Sequence, residues 1–221
     1  YKLIEEQKVS TVSTQLSWTH YCELLSIKDI DEINYYIITT ERYNLSVREL
    51  RERIKNKEYQ RLDDNTKLKL INKKELYISD TIKNPIIIKN KLEIDKENVS
   101  EKMLQKIILE DIEGFMRELG DSFSFIGSEY KIKINNAYNY IDLLLFNIKY
   151  NCYVVVELKV TEVKKEHIGQ IEVYMNYIDK HVKNITNDRT IGIIVARRDN
   201  HYYIEYSSDK RIYTRSYKVV I

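Results

Sequence analysis

Cysteine is scarce in this chain of 221 residues, which has only Cys22 and Cys152, far apart and in no spacing typical of metal ligands. A reducing compartment is therefore favoured over a disulfide scaffold or a zinc site. Proline and glycine are also scarce, with one and five residues among many Ile, Lys, Asn and Tyr. This bias indicates the pressure of an AT-rich genome, and no function follows from it.

Long apolar runs and a large net charge are absent as well. No stretch approaches the roughly 20 apolar residues of a membrane span, and the first seven residues lack the apolar core of a signal peptide. The 36 basic and 34 acidic residues nearly cancel, so a nucleic-acid-binding surface would have to come from a local patch. We expect a soluble, cytoplasmic protein with no membrane contact.

The N-terminal part of the chain has the periodicity of helices. Residues 1–63 are predicted to form a small helical domain for recognition or interaction, through which a protein partner could bind. Ser46-Val47-Arg48-Glu49 is a capping box that begins one of these helices. Residues 64–98 are polar and rich in lysine, with the sole proline at position 85, and we expect a linker or a pair of edge elements there.

The pattern changes in residues 99–221, which are predicted to form a second domain. A helix is expected from Ser100 to Leu119, where Gly120 ends it. A second helix is expected over about Lys165–His181. Strand-like runs are found at 123–134, 138–146, 152–160, 190–196, 202–206 and 211–217. The order α-β-β-β-α-β predicts an α/β core with a mixed sheet.

Three charged or acidic residues interrupt the apolar strands. Asp142 lies between Tyr140-Ile141 and a run of leucines, and Glu157 and Lys159 follow three valines and point to one face of their strand. Burial of such charges costs several kcal/mol each unless they are paired or bind a metal ion. A buried ion pair or a polar strand end explains each residue taken alone, but the joint arrangement is much rarer by chance.

Two carboxylates and a lysine at this spacing have a recognisable chemistry. Carboxylate oxygens bind Mg²⁺, which retains several waters and shares itself with phosphate oxygens. The metal ion lowers the pKa of a bound water, and a neighbouring lysine can position that water or stabilise an anionic transition state. Phosphodiester hydrolysis needs all three groups, so we expect a site for Mg²⁺, with Mn²⁺ as a substitute.

The ordered motifs resemble those of the PD-(D/E)XK nuclease superfamily, and in detail its YhcG-like branch. The resemblance rests on the strand around Asp142, on Val156-Glu157-Leu158-Lys159 and on Gly169-Gln170-Ile171-Glu172. It extends to Glu118-Leu119-Gly120 and, in the helical N-terminal domain, to Leu16-Ser17-Trp18-Thr19. The resemblance implies a restriction-endonuclease-like fold and a metal-dependent endonuclease that hydrolyses DNA.

The resemblance also implies roles for individual residues. Asp142 and Glu157 would be metal ligands, with the Leu158 carbonyl as a third, and Lys159 would be the catalytic lysine. Gln170 would lie beside the site, with Tyr174 completing its motif. The superfamily often adds a glutamate from the preceding helix, for which Glu110 and Glu113 are both candidates, with Glu118 ranked lower.

Some positions depart from the pattern of the branch. Ser128-Glu129 replaces an Arg-Gln pair, Gln105 stands where a helix glutamate is common, and Thr161 replaces a glycine. These departures motivate an alternative function, a weak or inactive nuclease-fold protein that acts as a nucleic-acid-binding or scaffold subunit. A homodimer is a further expectation, because cutting both strands of a duplex needs two sites. The tyrosines are expected mostly in the core and the strands, not in a stacking platform for bases.

Overall fold

The computed structural model describes residues 16–72, 74–94, 99–198 and 209–220 of the chain. The described residues form two compact units, with the boundary between Leu76 and Tyr77. None of the helices in these ranges is long and apolar enough to cross a membrane.

The N-terminal unit is helical, as predicted. Leu24, Ile33, Tyr36 and Leu50 are almost completely buried at its centre. The predicted capping box is confirmed, because the Ser46 hydroxyl accepts from the Glu49 amide at 3.3 Å and the Glu49 carboxylate accepts from the Ser46 amide at 2.9 Å. The helices are α1 (Trp18–Leu24), α2 (Ile30–Tyr43), α3 (Val47–Lys55) and α4 (Asp64–Ile71), with a 3-10 turn at Tyr59–Arg61.

The C-terminal unit is a mixed six-stranded sheet with helices, which confirms the predicted α/β fold class. Its elements are α5 (Ile78–Thr81), β1 (Ile86–Lys89), α6 (Glu101–Glu110), α7 (Ile112–Leu119), β2 (Phe123–Ile134), β3 (Ala137–Asn147), β4 (Cys152–Glu162), α8 (Lys165–His181), β5 (Asp188–Arg198) and β6 (Ile212–Val220). The strand order is β1-β6-β5-β4-β3-β2. Strands β2, β3 and β4 pair antiparallel, and the pairs β4–β5, β5–β6 and β1–β6 are parallel.

Strand β4 is covered on both faces, as its three consecutive valines predict. Val155 packs with Ile171 and Met175 of α8 in one core cluster. Val156 and Leu158 pack with residues of α6 and α7 in the other. Polar side chains at the end of β4 are therefore held between two helical layers, which fixes their positions.

The structure differs from the sequence prediction at two places. Residues 64–98 were expected as a linker or a pair of edge elements; the edge strand β1, which pairs with β6, agrees with the second alternative, but the helices α4 and α5 also lie there. The single helix expected from Ser100 to Leu119 is broken at Asp111, whose φ of −131° and ψ of 50° are not helical. Its carboxylate bonds to Lys91 and packs where a Gly114 side chain would be. The strand expected at 202–206 lies outside the described residues.

Gly120 ends α7 with a backbone conformation that side chains rarely adopt. Its φ is +121°, and a Cβ there would lie 2.3 Å from the Thr81 hydroxyl oxygen. We expect Gly120→Ala to lower the free energy of unfolding by about 2 kcal/mol, because strain and a steric clash act together. Urea denaturation followed by circular dichroism measures the change.

Gly169 provides the matched control for this substitution. It lies inside α8, where an added Cβ meets no atom within 4 Å. We expect Gly169→Ala to raise the free energy of unfolding by about 0.5–1 kcal/mol, since alanine restricts the unfolded chain. Equal effects at the two glycines would contradict the backbone assignment at Gly120.

Candidate metal and active site

The site begins where β3 and β4 separate. Regular pairs between these strands run from Asn147–Cys152 to Leu143–Val156. Beyond them the Asp142 carboxylate accepts from the Leu158 amide at 2.7 Å, and so takes the place of a strand-to-strand bond. One Asp142 oxygen is thereby fixed to β4, and the carboxylate is held beside Glu157.

Glu157 is the most deeply buried charged group of the site, with 2% of its surface exposed. Its Oε1 accepts from the Lys159 ammonium at 2.9 Å and from the Gln170 side-chain amide at 2.9 Å. Its Oε2 is buried and has no hydrogen-bond partner among the described residues. A buried carboxylate oxygen without a donor is costly, so this atom points to a cation as its partner.

Lys159 lies between two carboxylates from different elements. Its ammonium is 2.9 Å from Glu157 and 3.2 Å from Glu101 Oε2, at the start of α6. Lys159 is 8% exposed, and its contact with Glu157 is shielded from solvent, whereas the Glu101 side chain is 44% exposed. These contacts hold the charged end of Lys159 in one place at the edge of the site.

Gln170 connects the site to helix α8. Its side-chain nitrogen donates to Glu157 and lies 3.0 Å from the Tyr174 hydroxyl, to which it also donates. Gln170 and Tyr174 are one turn apart and face the end of β4 together. The structure thus brings together Asp142, Glu157, Lys159 and Gln170, all four of which sequence reasoning had selected.

The electrostatics of the carboxylates favour a bound cation. Burial and the neighbouring Asp142 raise the pKa of Glu157 to about 7, against the opposing attraction of Lys159. Burial also raises the pKa of Asp142, although the bond from the Leu158 amide partly offsets the shift. Two adjacent carboxylates that resist ionisation become stable as anions when a cation lies between them.

Lys159 remains an ammonium ion at neutral pH. Burial acts to lower its pKa, but the carboxylates of Glu157 and Glu101 outweigh this effect and the net shift is upward. A lysine with a raised pKa is a poor general base. It is suited instead to stabilise negative charge that develops close to it.

The donor set fits a hard divalent cation. No group of three His, Cys, Asp or Glu side chains with metal-binding geometry occurs in the described part of the chain, so the protein offers two carboxylates from Asp142 and Glu157. Mg²⁺ is commonly bound through one or two carboxylates together with water and phosphate oxygens. The Leu158 carbonyl as a third ligand stays a prediction.

The structure does not bring the helix glutamates chosen from the sequence to this cluster. Glu110 and Glu113 are exposed on α6 and α7, and Glu113 pairs with Arg117 at 3.7 Å. Glu118, ranked lower, accepts from the Ile87 amide at 2.8 Å and so ties α7 to β1. Among the described residues of α6, those that reach the site are Glu101 and Gln105.

Glu101 was not predicted from the sequence, because the candidates for the helix glutamate were sought in later turns, at Glu110 and Glu113. Gln105, which is 7% exposed, donates to the Asp142 carbonyl at 2.9 Å, so this face of α6 points at the site. Glu101 is four residues earlier, and residues four apart share a helix face. The position of Gln105 in the family pattern was therefore a signal for Glu101.

The raised pKa of Glu157 predicts a pH-dependent effect of its substitution. A carboxyl whose pKa is raised from 4.5 to about 7 contributes stability below about pH 4.5 and loses it as the pH rises through 7. In chelator at about pH 8, we therefore expect Glu157→Gln to raise the free energy of unfolding by about 1–3 kcal/mol. The difference should vanish near pH 4.5 in urea titrations.

The exposed Glu113 is the control for this measurement. Glu113→Gln should leave the free energy of unfolding nearly unchanged under the same conditions, because its side chain is exposed on the helix surface. Parallel pH profiles for Glu157→Gln and the unsubstituted chain would contradict the burial of an ionisable carboxyl at Glu157.

The sequence has relatives among known proteins. The protein YhcG of Escherichia coli (strain K12) is 30% identical over 196 residues, which cover 86% of this chain and 52% of YhcG. The chain therefore spans about half the length of this relative.

Two solved structures are similar to part of the chain. The crystal structure of a repair endonuclease from Pyrococcus abyssi is 18% identical, with a TM-score of 0.39, and the match covers 56% of this chain and 49% of that one. EndoMS in its complex with double-stranded DNA is also 18% identical, with a TM-score of 0.40, and the match covers 56% and 48% of the two chains.

Family models match both parts of the chain. Residues 1–61 match the DUF1016 N-terminal domain. Residues 79–221, well over half of the chain, match the YhcG PDDEXK nuclease domain, in agreement with the helix-flanked mixed sheet and its Asp142, Glu157 and Lys159 cluster. The chain belongs to the YhcG PDDEXK nuclease family.

Proposed function

We propose that the chain is a Mg²⁺-dependent endonuclease that hydrolyses phosphodiester bonds in DNA at the Asp142, Glu157 and Lys159 cluster. The observation that carries the proposal is the buried Glu157 oxygen without a donor, beside a second carboxylate and an ammonium ion. Membership of a nuclease family supports the reaction class. PDDEXK nucleases generally use divalent metal ions.

Asp142 and Glu157 would hold the cation in the proposed enzyme. The chemistry that a bound Mg²⁺ supplies is a lower pKa for a water ligand and the neutralisation of charge on the phosphate. The bond from the Leu158 amide keeps the Asp142 carboxylate oriented, and the bond from Gln170 does the same for Glu157. Both ligands are thus held in place before substrate arrives, which avoids a reorganisation cost during the reaction.

Lys159 would act on the phosphate as a fixed positive charge. Its ammonium holds its proton at neutral pH, so it would stabilise the anionic transition state and position the attacking water without removing a proton itself. Glu101 and Glu157 keep the ammonium between them. Glu101 is therefore a positioning residue, acting through Lys159.

A second candidate function is nucleic-acid binding without cleavage. It is favoured by Gln105, a neutral side chain that reaches the Asp142 carbonyl where the family pattern commonly has a glutamate. One carboxylate fewer near the cation would weaken metal binding. The position of Glu101 beside Lys159 supports the first proposal over this one.

The remaining sequence-based expectations stay predictions. They are the cytoplasmic location, the homodimer, a protein partner that binds through the N-terminal helices, and the use of Mn²⁺ in place of Mg²⁺. The chain matches about half the length of its relative from Escherichia coli. Properties of a whole protein are therefore not carried over from that relative.

Cleavage of plasmid DNA tests the proposal. With Mg²⁺ or Mn²⁺ present, we expect Asp142→Asn, Glu157→Gln and Lys159→Met each to lower the cleavage rate by about 10²-fold or more, because each removes a charge from the reacting centre. Rates are read from the conversion of supercoiled to nicked and linear DNA on gels.

Two acidic residues outside the cluster are the controls. Glu110→Gln and Glu113→Gln remove the same charge from exposed helix positions and should leave the rate unchanged. Cleavage that persists in chelator, or in all three site variants, would refute the proposed chemistry. A labelled RNA run in parallel decides between the two nucleic acids, and cleavage of RNA alone would refute DNA as the substrate.

A further inference from the structure

The β2–β3 hairpin extends past the active site as a two-stranded ribbon. β3 pairs with β4 only over Leu143–Asn147, whereas its pairing with β2 continues out to Ala137 and Ile134. The part of the hairpin beyond Asp142 therefore has no β4 neighbour. One face of this ribbon packs on α8 through Ile132 and Ile141, and the side chains that alternate with them face away.

Those outward side chains form a surface of lysines and tyrosines. Lys131 is paired opposite Tyr140, and Lys133 opposite Tyr138. Tyr138 and Tyr140 are 56% and 52% exposed, although rings of this size are usually covered. We call these four residues the Lys–Tyr ladder.

The lysines of the ladder have no carboxylate partner in the part of the chain that the structure describes. Neither forms an ion pair within the described ranges; instead the Lys131 ammonium lies 3.8 Å from the centre of the Tyr138 ring, and that of Lys133 lies 5.9 Å from it. Two unpaired positive charges on a strand are complementary to a chain of phosphates. The exposed tyrosine rings beside them offer faces on which bases can stack, in contrast to the expectation from the sequence that the tyrosines form no stacking platform.

The tyrosines of the ladder lie on the same strand as Asp142 of the active site. Tyr140 and Tyr138 precede Asp142 by two and four residues on the same strand, so they lie about 7 and 14 Å from it. Glu129 is the neighbour of Asp142 on β2, by the register of the flanking pairs. The surface thus changes along the hairpin from acidic at the metal site to basic and aromatic beyond it.

We propose that the Lys–Tyr ladder binds a single-stranded segment of nucleic acid next to the phosphodiester bond at the Asp142 site. The lysines contact phosphates, and the tyrosine rings stack on bases. A single strand fits this surface better than a duplex, because paired bases are not free to stack on a side chain. This proposal rests on the proposed nuclease function, because it takes the Asp142 site to be the place of cleavage. It goes beyond that function by specifying a single-stranded substrate.

Binding without cleavage tests the ladder separately from the chemistry. The full chain is titrated into fluorescently labelled oligodeoxythymidine in chelator, over a range of NaCl concentrations, and anisotropy gives the affinity. We expect the double variant Lys131→Gln, Lys133→Gln to lower the slope of log affinity against log salt by about 1.4, or about 0.7 for each lost contact with a single strand.

The tyrosines are tested by two matched pairs of substitutions. Tyr138→Leu with Tyr140→Leu removes both rings and should weaken binding by about tenfold or more, since each stacked base contributes measurably. Tyr138→Phe with Tyr140→Phe retains the rings and should bind as the unsubstituted chain does. Affinity for a duplex should change little in the leucine pair.

Lys149 is the control for the lysines. It also lies over a tyrosine ring, 4.7 Å from the centre of Tyr150, but at the opposite end of β3. Lys149→Gln should leave the salt slope unchanged. The proposal would be overturned if Lys149→Gln lowered the salt slope as much as the double lysine variant does, or if the double lysine variant left the slope unchanged. It would also be overturned if the leucine pair and the phenylalanine pair weakened binding equally.

Plasmid cleavage separates this proposal from the nuclease proposal. If the unsubstituted chain cleaves and the ladder variants bind and cleave like it, the ladder proposal fails and the nuclease stands. If no cleavage occurs but the ladder variants lose single-strand binding, the nuclease proposal fails and the ladder stands. If the lysine variant keeps its affinity but associates with itself, the lysines only protect an edge strand, and the ladder proposal fails.

Discussion

The C-terminal unit is organised around one unfavourable arrangement, the burial of the Glu157 carboxylate at the end of an apolar strand. Only one of its two oxygens is satisfied by the described residues, through Lys159 and Gln170. Desolvation of a carboxylate is expensive, and the pKa of about 7 reflects that cost. The fold tolerates this arrangement because the surrounding strand and helices are well packed, and a cation would relieve it.

Each layer of the fold contributes one group that controls this carboxylate. The central β4 strand carries Glu157 and Lys159, and β3 supplies Asp142 at the point where the two strands part. Helix α8 supplies Gln170 on one side of the sheet, and helix α6 supplies Glu101 on the other. The cluster is therefore assembled from contacts between layers, and its geometry depends on the packing of both helices against the sheet.

Features that depend on local sequence patterns, such as the strands and the charged residues within them, could be predicted from the sequence. Features that depend on contacts between distant residues could not. The alternation of apolar and polar residues and the apolar runs predicted β2, β3 and β4. The charged residues that interrupt these runs identified Asp142, Glu157 and Lys159 as candidate site residues. The break at Asp111 was missed because the apolar periodicity continues through it, whereas the contact of its carboxylate is with Lys91, 20 residues away in the sequence. Glu101 was missed because its contact with Lys159 spans 58 residues and depends on how α6 is placed over β4.

Calorimetry of Mn²⁺ binding shows whether Asp142 and Glu157 hold a divalent cation, on which the proposed chemistry depends. At about pH 8, where Glu157 is mostly ionised, the chain and its Glu157→Gln variant are titrated under identical conditions. We expect a single cation site per chain, which is lost in Glu157→Gln and retained in Glu113→Gln. Equal binding by the unsubstituted chain and Glu157→Gln would contradict this expectation.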